Sequence, residues 1–145
     1  GVHQRTVVEA RSIDAVFSSG QVSKIMDWGV SHINNSRLPV LGMINPPGNL
    51  EIFSQSLSGR PWDTKQYLPF AAAYVINGKA ELRDYVGNAI WAAGLSSMGV
   101  NEVFARGGAA IQGAFSATGM EDPRDQEAIG FGYSWASGSS GGSRK

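Results

Sequence analysis

The chain contains two histidines, His3 and His32, and no cysteine. Thiol catalysis and every thiolate-held metal centre are therefore excluded, and no pair of histidines stands at a metal-binding spacing. His3 lies in the N-terminal arm and is read as incidental. His32 follows Trp28 by one helical turn and is a candidate ligand, although an exposed or interface imidazole has the same sequence signature. Arg106, next to Gly107-Gly108, could hold a carboxylate against backbone amides, or the glycine pair could simply mark a bulge or tight turn. Phe53, Trp62, Tyr67, Phe70, Tyr74 and Trp91 are suited to an apolar pocket, with core packing the competing fate. The acids Glu121, Asp122, Asp125 and Glu127 crowd one helix start, where capping and the helix dipole explain them without catalysis. Ser96, Ser97 and Ser116 have no evident base partner. No glycine-rich loop has phosphate-cradle spacing.

These side chains must be positioned by the elements between them. The periodicity of Val22, Ile25, Met26, Gly29, Val30 and Ile33 predicts a helix over 21–35, capped by Ser18 or Ser19. Residues 38–44 and 50–53, around Asn45-Pro46-Pro47-Gly48-Asn49, read as a β-hairpin. In 63–98 two signals compete. Asn77-Gly78 is a type I′ hairpin turn, whereas Leu82, Tyr85, Val86, Ala89, Ile90 and Ala93 recur at helical spacing. The reading adopted is helix on both sides, loosened at Asn77-Gly78. Residues 102–106 and 109–117 read as strands joined at Gly107-Gly108. Asp122-Pro123-Arg124-Asp125 opens a helix. Ile129, Phe131, Tyr133 and Trp135 alternate at strand period, so that helix is expected to fray by Gly132, with a strand as the alternative.

The 145 residues suit one domain, read as 1–136 with a flexible Gly/Ser-rich tail over 137–145. Lys plus Arg and Asp plus Glu number 12 each. A neutral chain lacks the cation excess of a non-specific nucleic-acid binder, and its low self-repulsion favours a homo-oligomer. No apolar run approaches a membrane span and no leader sequence is visible, so a cytoplasmic protein that avoids membranes is expected.

Three stretches resemble the GlcG/HbpS-like domain, which also forms the C-terminal part of PduO-type proteins. They are Val40 to Leu50, Ala71 to Ala80 with its Lys79-Ala80 pair, and the run from Gly107-Gly108 through Gly113-Ala114-Phe115-Ser116-Ala117-Thr118-Gly119 to Asp125-Gln126-Glu127-Ala128. Thr118 departs from the family's usual Ser, and Trp62, Trp91 and Trp135 match none of its pattern. The resemblance implies an α/β (α+β) fold, a profilin-like sandwich with a central antiparallel sheet flanked by helices. A mostly-β barrel is the alternative. It also implies an oligomeric binder of haem or another flat hydrophobic molecule. His32 would then be an axial ligand with Trp28 against the macrocycle, and Arg106, Tyr74, Lys79 and Phe70 would complete the ligand contacts. The competing function is a small cofactor-free isomerase, cyclase or lyase acting on an apolar metabolite in an aromatic-lined pocket.

Overall fold

A computed structural model describes residues 13–112 and 123–138. Among them are five α-helices and a small mixed three-stranded sheet, so the chain is mixed α/β and not a barrel. Strand β1 (Ala15–Phe17) leads into helix α1 (Ser19–Asn34). The Ser18 hydroxyl accepts from the Gln21 amide, and the Gln21 side chain accepts in return from the Ser18 amide, a complete capping box. Val22, Met26, Gly29 and Ile33 are buried, as the stripe predicts.

The expected hairpin over 38–53 is not formed. A short 3₁₀ turn (Leu41–Met43) and helix α2 (Asn49–Ser56) stand there. Glu51, Ile52 and Gln55 turn inward at helical spacing. Arg37 and the Leu38 amide bind the Glu51 carboxylate, tying both ends of the segment together without a strand ladder. A second 3₁₀ turn (Thr64–Tyr67) precedes the hairpin that does exist, β2 (Ala72–Ile76) and β3 (Lys79–Glu81). Its turn residues Asn77 and Gly78 have φ of 52° and 79°, the two positive values that a type I′ turn requires. The helix expected before Asn77 is thus a strand. β1 pairs with β2 in parallel and β2 with β3 antiparallel, which makes the sheet mixed instead of antiparallel.

Helix α3 (Arg83–Ser97) follows and is the centre of the molecule. Leu82, Tyr85, Val86, Ala89, Ile90 and Ala93, the residues of the helical pattern, are all buried. So are Trp91, Ala92, Gly94 and Leu95, because α1 and the last helix cover α3 from different sides. The strands expected after Val100 are replaced by helix α4 (Glu102–Gln112), with Gly107-Gly108 inside it and not at a turn. Asn101 starts α4 by accepting the Val103 amide, and Glu102 pairs with Arg106 one turn on. The predicted strand residues 113–117, the arm over 1–12 and the tail over 139–145 lie outside the described residues.

Helix α5 (Pro123–Gly138) runs unbroken through Gly130 and Gly132 and beyond the expected start of the tail. Gly130 and Gly132 lie in close packing. A Cβ on Gly132 would lie 2.2 Å from the Ala89 carbonyl oxygen and 2.7 Å from Ala92 Cβ. The cost of a helical glycine, about 1 kcal/mol against Ala, is offset here by direct backbone contact with α3.

Candidate functional site

Residues 61–70 gather most of the predicted contacts. They leave α2, pass through the second 3₁₀ turn and reach β2, with Trp62 and Thr64 buried as anchors. The loop lies close against α3, where a Cβ on Gly87 would come within 2.8 Å of Lys65 Cβ and 3.2 Å of its backbone nitrogen. His32 reaches over from α1, its Nε2 donating to the Pro61 carbonyl at 3.0 Å. At the other end the Tyr74 hydroxyl donates to the Pro69 carbonyl at 2.7 Å. Two predicted ligand contacts therefore hold the two ends of one loop.

Trp28 and His32 stack with ring centroids 5.2 Å apart and planes 18° from parallel. Tyr67 meets both edge-on, at 5.8 Å from Trp28 and 5.0 Å from His32. Trp28 is 42%, Tyr67 48% and Phe70 51% exposed, so the cluster offers ring surface to solvent. The Arg83 guanidinium stands 4.9 Å over the Phe70 ring. Among the described residues its Nε is buried without an acceptor, and Lys65 keeps a loose 3.9 Å contact with Asp84.

The predicted residues divide into three groups. His32 and Trp28 belong to this face, and Phe70 lies three residues beyond Tyr67 on the same loop, under Arg83. Tyr74 supports it from beneath, fully buried and stacked on Phe17 at 5.1 Å. Burial raises its hydroxyl above the usual phenol range, with the Arg83 charge opposing, so it remains a proton donor. Lys79 sits exposed at the hairpin turn, and Arg106 lies elsewhere. The Arg106 guanidinium is committed to Glu102 and to the backbone and side-chain oxygens of Gln126, at 2.8–3.0 Å. It joins α4 to α5, and the anion site expected beside Gly107-Gly108 is not built. Arg83 is the contact that sequence reasoning passed over, whereas Tyr67 is grouped with the pocket aromatics but not with Trp28 and His32. Only the Asn77-Gly78 turn hints in the sequence that Arg83 returns towards the aromatic loop.

For a haem, the donor set does not fit axial ligation through His32 Nε2, because that nitrogen already donates to Pro61. Trp28 covers one face of the same imidazole. Ring stacking is the chemistry this face offers. An open cleft of about 610 Å³, bordered by Ser96, Glu102, Gly130, Tyr133, Ser134 and Ser137, lies between α3, α4 and α5. It is hydroxyl-rich and does not match an aromatic ligand. Acids of the α5 start are also engaged: Asp125 accepts from Asn88 at 2.9 Å, and Glu127 accepts from Tyr85 at 3.3 Å. Arg124 pairs with the buried Glu81. Among the described residues no His, Cys, Asp and Glu cluster could hold a metal ion, and no helix is long and apolar enough to cross a membrane. Comparison with protein-family models, with curated proteins and with solved structures finds no match.

Proposed function

We propose that this chain is a small-ligand-binding module whose ligand is a flat, largely apolar molecule carrying an acidic group. One observation carries the reading: Trp28, His32 and Tyr67 form a preassembled aromatic surface, with Trp28 and Tyr67 exposed and His32 partly so, fixed by the Pro61 hydrogen bond. Each stacked ring on such a platform contributes about 1–3 kcal/mol. The acceptor that Arg83 Nε lacks is the group a ligand carboxylate would supply after a small side-chain movement.

The GlcG/HbpS-like resemblance supplies a tetrapyrrole as the particular candidate. With it come the profilin-like sandwich, the homo-oligomer and the cytoplasmic setting that belong to the same reading. In this proposal the macrocycle is held by its face, and iron contributes nothing to affinity.

Titration with haemin and with metal-free protoporphyrin, followed by absorbance and tryptophan quenching, tests this. Both should bind with similar affinity, and Trp28→Ala or Tyr67→Ala should weaken both by about tenfold or more. Binding of haemin alone, abolished by His32→Ala, would replace stacking with axial ligation. Binding of neither would remove the tetrapyrrole from the reading.

A further inference from the structure

Residues 38–50 carry no charged side chain. In the fold they place Val40 (75% exposed), Met43 (81%), Ile44 (53%) and Leu50 (67%) in solvent, with Phe53 (44%) one turn beyond Leu50 on α2. At roughly 200 Å² of surface per large apolar side chain, these fractions amount to on the order of 600 Å². The largest apolar patch on a typical monomer is about 300–600 Å² and is often functional, so this exposure stands at the top of that range. A standard interface takes about 800 Å² from each partner, so this segment supplies most of one half.

The segment is also held stiffly in that pose. Arg37 donates to both Glu51 oxygens, to Asn45 Oδ1 at 2.9 Å and to the Ile44 carbonyl at 2.6 Å. The Leu41 amide donates to the Pro39 carbonyl at 2.7 Å, closing a γ-turn with Val40 at its centre. Val40 accordingly has φ of 67°, a region that β-branched residues avoid. Burying Val40 gives no return for that strain within one chain, since its side chain faces water. Surface that is strained, rigid and apolar is preorganised for association.

We propose that this 40–53 surface is the face on which two copies of the chain associate. Charge selects the occupant. The flanking Arg37 and Glu51 neutralise each other and the whole chain has no net charge, so a second copy meets no like charge across a two-fold axis. A charged partner would lose hydration here without finding a counter-charge. A membrane-inserting loop would be expected to carry free cations for the headgroups, and the nearest, Arg37, is consumed by Glu51. The proposal gives a face to the homo-oligomer named with the ligand reading, and its observations and test do not involve the aromatic surface.

Sedimentation velocity on the full chain over a concentration series provides the test. The expected result is a reversible dimer that Val40→Asp or Met43→Asp weakens by at least about tenfold, with circular dichroism unchanged because both side chains are already exposed. Val103→Asp is the control, since Val103 is 78% exposed on α4, an element outside the 40–53 segment, and should leave the dimer intact. A chain that stays monomeric at every concentration overturns the proposal. So does a dimer broken by Val103→Asp and not by Met43→Asp. A monomer that floats with phosphatidylcholine vesicles through Met43 also overturns it, in favour of a lipid surface.

Discussion

Helix α3 and the stretch from Arg37 to Phe70 are neighbours built by different means. Around α3 the chain relies on shape: small residues, a glycine touching backbone, and apolar side chains buried on every side. From Arg37 to Phe70 it relies on polar clamps: Arg37 on Glu51, Gln55 on the Ser36 carbonyl, Arg60 on Gln55, and Gln66 on the Arg60 carbonyl. Close packing leaves little surface to offer. Clamping from within frees apolar and aromatic side chains to face outward: the proposed dimer surface lies on the clamped stretch, and Tyr67 carries that stretch to the Trp28–His32 stack on α1. If that contrast is right, the two regions should fail for different reasons.

The largest effect is expected at the clamp. Glu51→Gln keeps the shape but leaves Arg37, 15% exposed, without its counter-charge. Removing one partner of a buried pair costs about 3–5 kcal/mol, measurable as a lower urea midpoint. Burial alone would raise the Glu51 pKa. The hydrogen bonds from Arg37 and the Leu38 amide, with the Arg37 charge, outweigh it and hold the carboxyl below its ordinary 4.5. The unfolded chain therefore takes up the proton first as pH falls. This contribution is complete above the ordinary value and is lost as pH drops through the folded one. Wild type should lose stability on acidification below 4.5 more steeply than Glu51→Gln. Equal slopes, or a loss under about 1 kcal/mol, would show that the clamp does not support the stretch.

Next comes the packed region. In Gly132→Ala the new methyl meets the Ala89 carbonyl oxygen, which cannot turn aside as a flexible side chain would. Overpacking of this kind costs about 1–3 kcal/mol. Gly107→Ala on α4 has open space at the same point and should stabilise by about 0.5–1 kcal/mol. Urea unfolding of the two variants, moving in opposite directions, would sharpen the claim that shape governs the α3–α5 seam. Movement in the same direction would break it.

This division also explains what was legible in advance. Helix α1 announced itself because one-sided burial writes a period into its residues, with the cap narrowed to Ser18 or Ser19, and α3 because Leu82 to Ala93 keep helical spacing although the helix is buried all round. The 38–53 segment misled because its turn residues are real while its partner is a buried ion pair fourteen positions apart, which no period records. Helix α5 was half legible: Gly130 and Gly132 look like helix breakers until α3 is seen beneath Gly132. Trp28 and His32 could be placed together from one helical turn. That Tyr67 and Arg83 join that face depends on where the 61–70 loop closes, and only tertiary contacts decide it.

The smallest effect near neutral pH lies on the α3–α5 seam, at Tyr85, and it reverses the pH response of the clamp. Burial first, then the charge of Glu127 and the hydrogen bond to it, push the Tyr85 pKa from 10 up to about 12. Below pH 10 both folded and unfolded chains hold the proton, and the stabilisation is complete. Between 10 and about 12 the unfolded chain releases its proton while the folded chain keeps it, so stability falls as pH rises. Tyr85→Phe keeps the buried ring and removes only a long 3.3 Å hydrogen bond, a loss of about 1 kcal/mol or less at neutral pH. In alkali the variant should lose stability less steeply than wild type. Some slope should remain, because burial raises Tyr133 as well, with the Glu102 charge adding to it. Urea midpoints at neutral and alkaline pH measure both terms. Indistinguishable alkaline slopes would mean that Tyr85 reaches water in the folded chain, and the seam would then be looser than its glycine contact implies.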